Sequence, residues 1–306
     1  MARVLITRPL PGDAVGKLEA AGHEVEVLPG PMPPDRQELE TALAGVDGLL
    51  CLLTDPVDAE VIGSAEQLGA IANCAIGTDN IDLDAAAARG IPVGVTPDVL
   101  TDATADLTMA LLLAAARRLP EAERDAREER WRTWEPAGWL GLELRGARLL
   151  IVGPGRIGKA VAERARAFGM EIETVGRDDD LLAALPDADI VSLHCPLTDA
   201  TRGLIGETEL AAMKPSAILV NTARGAVVDQ GALVRALSDG TIGAAALDVT
   251  DPEPPPPDDP VLSAPNCIVL PHIGSATTRA RELMASLSAD NLIAALAGDP
   301  MPYPAR

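Results

Sequence analysis

The sequence predicts an α/β protein built from two doubly wound parallel sheets. Short apolar segments such as 4–6 alternate with helical patterns such as 13–21, and a second series of the same kind opens at 147–152. Strands that alternate with helices pair in parallel and carry helices on both faces, so each series predicts one sheet. The other expected strands are 24–28, 48–52, 70–73, 91–94, 171–175, 190–194, 218–221, 243–248 and 267–270.

Long helices are expected at 101–118 and at 276–297, the second ending before Gly298. The first is apolar along most of its length, yet Asp and Arg stand inside its ends. A bilayer-spanning helix needs about 20 predominantly apolar residues, so we expect a packing helix and no membrane span. A further helix is expected at 36–44.

Composition limits the classes of function. The chain has 306 residues, 47% of them hydrophobic, and a formal net charge of −21. It is long enough for two domains, and it lacks the basic surface that nucleic acid or an anionic membrane would require. The cysteines stand singly among apolar residues, which predicts buried thiols, no metal site and a cytoplasmic protein. They are Cys51, Cys74, Cys195 and Cys267.

A glycine fingerprint follows the first strand of the second series. Gly153 and Gly155 stand between the strand 147–152 and a helix expected at 157–168, and Gly158 lies in the first turn of that helix. In this context the first glycine permits a tight turn, the second lets a pyrophosphate approach the backbone, and the third lets helix and strand pack closely. The helix N-terminus then faces the anionic group. The motif predicts a Rossmann dinucleotide-binding domain.

The end of the next strand bears on the choice of nicotinamide cofactor. An NAD site normally has an acidic residue there for the ribose hydroxyls. This chain has Gly176 at that position and then Arg177, which suits a 2′-phosphate, although three aspartates follow at 178–180. The pattern favours NADPH over NADH, and NADH stays an alternative.

Arg224 ends a strand in the second series, within the segment NTARG. Open α/β sheets bind ligands at the carboxyl ends of their strands. A guanidinium fork can engage the carboxylate and ketone oxygens of a 2-oxo acid together. An interdomain ion pair is the alternative role for this residue.

Two histidines follow strands and compete for an acid–base role. His272 is followed by Gly-Ser, and His194 ends its own strand. We favour His272 because Ser275, one turn further on, offers a second polar contact to the substrate. A carboxylate beside the imidazole would stabilise its charged form, and Glu253 is the candidate for that partner.

Beyond these arguments, nearly the whole chain resembles the D-isomer specific 2-hydroxyacid dehydrogenase family, and within it the glyoxylate/hydroxypyruvate reductases. The matching segments are IGTDNID at 76–82, VLTDATADL at 99–107, GPGRIG at 153–158, HCPLT at 194–198, NTARG at 221–225, LDVTDPEP at 247–254 and PHIGSAT at 271–277.

The resemblance implies a role for each site residue. His272 is the proton donor, Glu253 its partner and Arg224 the substrate anchor, while the backbone of Ile76 and Gly77 holds the substrate carboxylate. The cofactor is expected to contact Thr104, Arg156, Ile157, Pro196, Thr222, Asp248 and Gly274, in addition to the fingerprint glycines and Arg177.

The resemblance also implies an organisation and a partner. A discontinuous, flavodoxin-like substrate domain is expected over 1–98 and 278–306, around an NAD(P)-binding Rossmann domain over 99–277. Trp139 matches a position that in relatives reaches into the active site of the partner subunit, so we expect a homodimer. One departure is the segment 178–189, which is shorter than in relatives and predicts a trimmed element beside the adenosine.

The expected function is therefore reduction of glyoxylate or hydroxypyruvate to glycolate or D-glycerate, with hydride from NADPH or NADH and a proton from His272. Two alternatives stay open. One is another D-2-hydroxyacid dehydrogenase that acts on a phosphoglycerate-type or bulkier substrate. The other is a dinucleotide-sensing regulatory protein, which would bind the cofactor without turnover.

Overall fold

The structure is a computed structural model that describes residues 1–305. The chain divides into two compact units, the first comprising residues 1–100 and those from 276 onward, the second residues 101–275. Each unit is an α/β layer built on one parallel sheet. Within the described residues, no helix is both long and apolar enough to cross a bilayer.

All the named strands of the described residues pair in parallel. Most of them are runs of Val, Ile, Leu and Ala, as expected for parallel strands that are covered on both faces, whereas the outer strands β2 and β7 contain alternating glutamates and are largely exposed. The strands are β1 Arg3–Ile6, β2 Glu24–Val27, β3 Gly48–Cys51, β4 Ala70–Asn73, β5 Val93–Gly94, β6 Arg148–Val152, β7 Glu171–Val175, β8 Ile190–Leu193, β9 Ile218–Asn221, β10 Ala244–Leu247 and β11 Cys267–Val269.

The helices alternate with the strands along the chain. They are α1 Ala14–Ala20, α2 Arg36–Ala42, α3 Ala59–Ser64, α4 Leu83–Ala88, α5 Thr101–Ala116, α6 Leu119–Arg127, α7 Arg156–Ala167, α8 Leu181–Ala184, α9 Glu207–Ala212, α10 Gln230–Ser238 and α11 Thr278–Leu296.

Aspartate begins many of these helices. A carboxylate before the first turn accepts a backbone N–H that has no partner within the helix, and its charge suits the positive end of the helix dipole. Part of the chain's high acidity therefore serves to start helices. The capping residues are Asp13, Asp35, Asp58, Asp82, Asp180 and Asp229.

The first unit has a five-stranded sheet in the order β2-β1-β3-β4-β5. This is the flavodoxin-like order, and it confirms the fold class expected for the first domain. Its last helix, α11, covers one face and buries Met284, Ala289 and Leu292 against strand residues such as Val4 and Leu50. The strand order reverses between β1 and β3, which makes the carboxyl ends of these strands a topological switch point.

The second unit has a six-stranded sheet in the order β11-β10-β9-β8-β6-β7, and its order reverses between β6 and β8. The confirmed fold is a Rossmann-type sheet in which β7 is the outermost strand on its side. The connection from β7 to β8 contains only the four-residue α8 and a short 3-10 turn at Leu185–Asp187. Segment 178–189 thus forms a short helical connection at the sheet edge.

Two long-helix boundaries differ from the sequence prediction. Helix α5 ends at Ala116, not at 118, because Arg118 has a φ of +54° and leaves the helix. The Ala116 carbonyl instead accepts the amide of Leu142 at 2.8 Å. Helix α11 begins at Thr278, not at 276, because the Thr277 hydroxyl accepts the amide of Ala280 and caps the first turn.

Candidate active site

The fingerprint loop after β6 has room for glycine only at two of its three glycine positions, Gly153 and Gly158. Gly153 has a φ of +89°, and a Cβ there would lie 2.6 Å from the backbone nitrogen of Cys195. A Cβ at Gly158 would lie 2.6 Å from the Gly153 carbonyl and 3.0 Å from the Ile151 side chain. The loop therefore passes close to the chain that leaves β8, at the switch point of the sheet.

Gly155 differs from the other two glycines because no atom lies within 4 Å of the position its Cβ would take. It immediately precedes α7, a twelve-residue helix whose first turn contains Arg156 and Ile157. Open space before the N-terminus of a helix suits an anion, since free backbone N–H groups and the helix dipole both point there. The loop thus fits the pyrophosphate of a dinucleotide.

Asp248 ties two strand ends together. It follows β10, is 1% exposed, and accepts the amide of Ile273 on Oδ1 and that of Gly274 on Oδ2, both at 2.7 Å. Burial raises the pKa of this carboxyl, and the two amides oppose the rise. A Cβ at Gly274 would lie 3.0 Å from Asp248 Oδ2 and 3.4 Å from the methyl of Thr104. Thr104, Asp248 and Gly274 therefore lie together.

His272 and Glu253 form a direct pair. The Nδ1 of His272 lies 2.6 Å from Oε1 of Glu253, and the backbone amide of His272 donates to the Asp248 carbonyl at 2.9 Å. The φ of His272 is +54°, in the left-handed region that a residue other than glycine rarely adopts. The second oxygen of Glu253 accepts the amide of Thr250 at 3.4 Å. The carboxylate therefore fixes the ring orientation and leaves Nε2 for another partner.

Arg224 stands on a turn that side chains hold in place. Asn221, the last residue of β9, donates from Nδ2 to the Arg224 carbonyl at 2.9 Å and accepts the amide of Ala223 at 3.0 Å. A Cβ at Gly225 would lie 1.9 Å from the Thr250 carbonyl, so the turn packs directly against the segment that leads to Glu253. Arg224 and Glu253 thus follow neighbouring strands of one sheet.

His194 has a different environment. Its Nε2 lies 2.9 Å from the Ser192 hydroxyl, and its buried Nδ1 has no hydrogen-bond partner within residues 1–305. Burial lowers the pKa of His194 to about 4, so the ring is neutral near pH 7. Among the described residues no carboxylate is hydrogen-bonded to its ring, in contrast to His272.

Other residues that were expected to contact the cofactor lie just after the strands β7, β8 and β9. Thr222 follows β9, and its hydroxyl lies 2.9 Å from that of Thr108 on α5. Pro196 follows β8, next to the Cys195 that Gly153 approaches. Arg177 is exposed after β7.

Ile76 and Gly77 belong to the first unit, in the loop after β4. Within residues 1–305 their backbone amides donate to no protein acceptor. The Ala75 carbonyl accepts the amide of Thr96 at 2.9 Å, and the Gly77 carbonyl accepts Nδ2 of Asn73 at 2.8 Å. Two adjacent N–H groups without partners, flanked by fixed carbonyls, form a site suited to a carboxylate.

Ser275 directly follows Gly274, and Trp139 lies in the segment between α6 and β6. Ser275 is half-buried, three residues after His272. Trp139 is 40% exposed, and the Arg118 guanidinium lies 4.9 Å from the centroid of its ring. In the described part of the chain, no three His, Cys, Asp or Glu side chains are grouped so as to hold a metal ion.

Three supporting residues escaped the sequence analysis: Asn221, Thr250 and Thr108. Asn221 had a visible signal, because an asparagine at a strand end often bonds to the backbone of the turn that follows. Thr250 and Thr108 had none, since their roles depend on which chain segments lie side by side.

An open α/β sheet with a dinucleotide loop at its switch point and a carboxylate-supported histidine defines the class of nicotinamide-dependent dehydrogenases. Residues 109–274 match the model of the D-isomer specific 2-hydroxyacid dehydrogenase NAD-binding domain. The chain belongs to the D-isomer specific 2-hydroxyacid dehydrogenase family.

Relatives match over almost the full length. The chain is 46% identical to a glyoxylate reductase of Korarchaeum cryptofilum, covering 97% of this chain and 93% of that protein. A protein from Thermus thermophilus with a known crystal structure is 49% identical in sequence to this chain. Its structure matches with a TM-score of 0.94 and covers 99% of this chain and 100% of that one. The NADPH-dependent glyoxylate/hydroxypyruvate reductase of Sinorhizobium meliloti, solved with NADP and malonate, is 33% identical with a TM-score of 0.85, covering 99% and 96% of the two chains.

Proposed function

We propose that this protein reduces small 2-oxo acids, glyoxylate and hydroxypyruvate, to the corresponding D-2-hydroxy acids with NAD(P)H. The observation that carries the proposal is the 2.6 Å contact between His272 Nδ1 and Glu253 Oε1 at the carboxyl edge of a dinucleotide-binding sheet. The relatives named glyoxylate reductase support the substrate class.

His272 supplies the proton in this proposal. Its Nδ1 is engaged by Glu253, so Nε2 carries the proton that goes to the carbonyl oxygen of the substrate. The carboxylate stabilises the charged ring before the transfer and keeps it in one orientation. A reduced nicotinamide bound at the fingerprint loop supplies the hydride to the carbonyl carbon.

The substrate carboxylate is assigned to the free amides of Ile76 and Gly77. Arg224 is assigned to the carboxylate and carbonyl oxygens, where its charge also stabilises the negative charge that develops on the carbonyl oxygen. Ser275 is assigned a further polar contact with the substrate. A planar 2-oxo acid has the oxygen pattern that these groups recognise.

The cofactor is assigned as NADPH in preference to NADH. Two of the three aspartates after Arg177 have other partners: Asp179 accepts the amide of Gly176 at 2.7 Å, and Asp180 caps α8. Arg177 is exposed and suits a 2′-phosphate. The residues assigned to the dinucleotide are Thr104, Gly153, Gly155, Arg156, Ile157, Gly158, Arg177, Pro196, Thr222, Asp248 and Gly274.

A panel of initial rates tests the substrate and the cofactor together. Glyoxylate, hydroxypyruvate and pyruvate are each assayed with NADPH and with NADH. The expected order of kcat/KM places the first two substrates above pyruvate, and NADPH above NADH. In Arg177→Ala the ratio of kcat/KM with NADPH to kcat/KM with NADH should fall about tenfold or more, because one charge-assisted contact is removed. Binding of NADPH without turnover of any 2-oxo acid would indicate a regulatory protein instead.

Two variants test the assigned roles. His272→Ala should lower kcat about 100-fold or more, which is the usual contribution of a general acid. Arg224→Ala should mainly raise the KM for the 2-oxo acid, because the guanidinium is the substrate anchor. Arg202→Ala, on an exposed turn, is the control for loss of a positive charge. A His272→Ala enzyme of unchanged kcat would remove the proposed proton donor.

A homodimer is also proposed. All three tryptophans of the chain lie in the segment 131–139, where Trp131 and Trp134 are 73% and 81% exposed. Exposed aromatic side chains grouped in this way mark a protein interface. By the family resemblance, Trp139 reaches into the active site of the partner. Light scattering should give twice the mass of one chain, and Trp131→Ala combined with Trp134→Ala should shift the protein toward monomer.

A cytoplasmic location belongs to the same proposal. The four cysteines are free thiols in this structure, and a reducing compartment keeps thiols in that state. Cell fractionation with activity assays checks this location.

A further inference from the structure

A buried chain of hydrogen bonds in the first unit ends on the loop that is assigned to the substrate carboxylate. Asn73 Nδ2 donates to the Gly77 carbonyl at 2.8 Å and to Oδ1 of Asn80 at 3.0 Å. Asn80 Nδ2 donates in turn to the carbonyls of Leu52 and Asp55, at 3.0 Å and 3.2 Å. The loop after β4 is thereby tied, through two side-chain amides, to the loop after β3.

Both amides have only one orientation that satisfies their neighbours. Each Nδ2 faces oxygens that can only accept, so a flipped amide would bring oxygen against oxygen. Asn73 is fully buried, and its Oδ1 accepts the Cys51 thiol at 3.6 Å. A buried network whose members are all satisfied is rigid, and it holds the groups bonded to it in one place.

The far end of the chain of bonds is a buried ion pair. Asp55 has no exposed surface, and its carboxylate accepts the guanidinium of Arg8 at 2.9 Å, the Leu52 amide at 2.7 Å and the Thr7 hydroxyl. Thr7 and Arg8 directly follow β1. The network therefore starts at the switch point of the sheet and ends at Gly77.

The bonds hold the peptides on both sides of the loop segment that carries the free amides. A trans peptide places its N–H opposite its C=O. Because Thr96 holds the Ala75 carbonyl at 2.9 Å, the N–H of Ile76 points away from Thr96. Because Asn73 holds the Gly77 carbonyl, the peptide that follows Gly77 is also held. The N–H of Ile76 is thus oriented before any ligand arrives, and the N–H of Gly77 belongs to the one peptide between these two held peptides.

We propose that Asn73 and Asn80 are positioning residues for the Ile76–Gly77 backbone, and that through it they make the enzyme select carbonyl compounds with an adjacent carboxylate. This inference rests on the proposed function of that loop. Neither side chain contacts the substrate; each acts through the backbone. Loss of either amide should let the loop relax and weaken binding of the carboxylate, while the proton donor and the dinucleotide loop stay as they are.

The test uses Asn73→Ala and Asn80→Ala, with Asn266→Ala as the matched control. Asn266 also donates an amide to a backbone carbonyl, that of Gly243 at 3.2 Å, but it belongs to the second unit. Its φ is +53°, so the control is destabilised without touching the loop. Three quantities are measured in the full-length enzyme: the KM and kcat for glyoxylate, the inhibition constant of oxamate, and the Kd of NADPH from its fluorescence.

Both test variants should raise the KM for glyoxylate and the inhibition constant of oxamate about tenfold, since a hydrogen bond to a charged group is weakened. The kcat should change less than about threefold, and the Kd of NADPH should equal that of the unchanged enzyme. The control should show none of these shifts. If Asn73→Ala does not fold, the Asn80→Ala variant alone tests the proposal, because Asn80 is only half-buried.

A KM and an inhibition constant within about twofold of the unchanged enzyme in both variants, or equal losses of kcat and NADPH binding, would overturn the positioning role. A different result would contradict the proposed function: the protein without substitutions would then reduce no 2-oxo acid.

Discussion

His272 and Glu253 are joined across two strand ends by the 2.6 Å contact between Nδ1 and Oε1. The contact brings together residues 19 positions apart in the sequence. His272 owes its position to its backbone bond with Asp248, and Glu253 to a segment that packs on the turn of Arg224. The same sheet edge thus positions the imidazole, the carboxylate that contacts it and the guanidinium.

Glu253→Gln should lower kcat/KM for glyoxylate by about 10- to 100-fold, because the charged imidazole loses its anionic partner while the shape of the side chain is kept. Steady-state rates at one fixed pH measure this loss. Glu207→Gln, on an exposed surface, serves as the control. A kcat/KM equal to that of the unchanged enzyme would contradict the pairing.

His194 should make the protein sensitive to acid. Its pKa is about 4 in the folded protein and 6.5 when exposed, so between these values the unfolded chain binds a proton that the folded chain does not. The free energy of unfolding should therefore fall as the pH drops from 6.5 to 4, by about 3 kcal/mol. His194→Gln keeps a nitrogen toward Ser192 and cannot titrate. Urea unfolding across this pH range should show a smaller decrease in the free energy of unfolding for the variant. Equal decreases in the two proteins would be inconsistent with the buried neutral ring.

Arg8→Ala should destabilise the protein by about 3 kcal/mol or more, because it leaves the buried Asp55 carboxylate without its cation. Arg36→Ala is the matched control: Arg36 pairs with Asp58 and Glu60, but its side chain is 50% exposed. An exposed pair contributes at most about 1 kcal/mol. Chemical denaturation of both variants measures the difference, and similar losses would argue against a buried ion pair.

Alanine substitutions at two fingerprint glycines should have different effects on stability and on cofactor binding. Gly153→Ala places a Cβ 2.6 Å from the backbone of Cys195 at a φ of +89°, so it should reduce both stability and dinucleotide binding. The strain alone is on the order of 1–3 kcal/mol. Gly155→Ala meets no atom of the protein, so its unfolding free energy should fall by less than about 1 kcal/mol while NADPH binding weakens strongly. Thermal unfolding and fluorescence titration of NADPH give the two quantities, and unaltered NADPH binding in Gly155→Ala would refute the assigned role of the loop.

The strands were largely predictable from sequence. Buried parallel strands are short apolar runs, and runs such as 70–73 and 218–221 coincide with β4 and β9. The short helices α1 and α2 were anticipated, but several others were not. Helices of six to nine residues, among them α3, α4 and α10, are shorter than the window in which a helical period becomes visible. Their aspartate caps, Asp58, Asp82 and Asp229, were the available signal.

The candidate site was predictable where local sequence determines geometry. A glycine between strand and helix reveals a close approach, as Gly153 does. The reach of Glu253 to His272 could not be derived from spacing, because it depends on how the loops after β10 and β11 lie side by side. The Asn73–Asn80 network is invisible in sequence for the same reason, since its bonds depend on how two loops fold together.

The discontinuity of the first unit has a consequence for synthesis. The segment 101–275 is continuous and can acquire its whole fold as it leaves the ribosome, whereas the sheet of the first hundred residues must wait for α11. Until then Val4, Ile6 and Leu50 lack the helix that covers them. Asn291 on α11, which donates to the Val95 carbonyl and accepts the Tyr303 amide, then attaches the returning chain to β5. Residues 1–100 are thus synthesised before residues 101–275 but complete their fold after them.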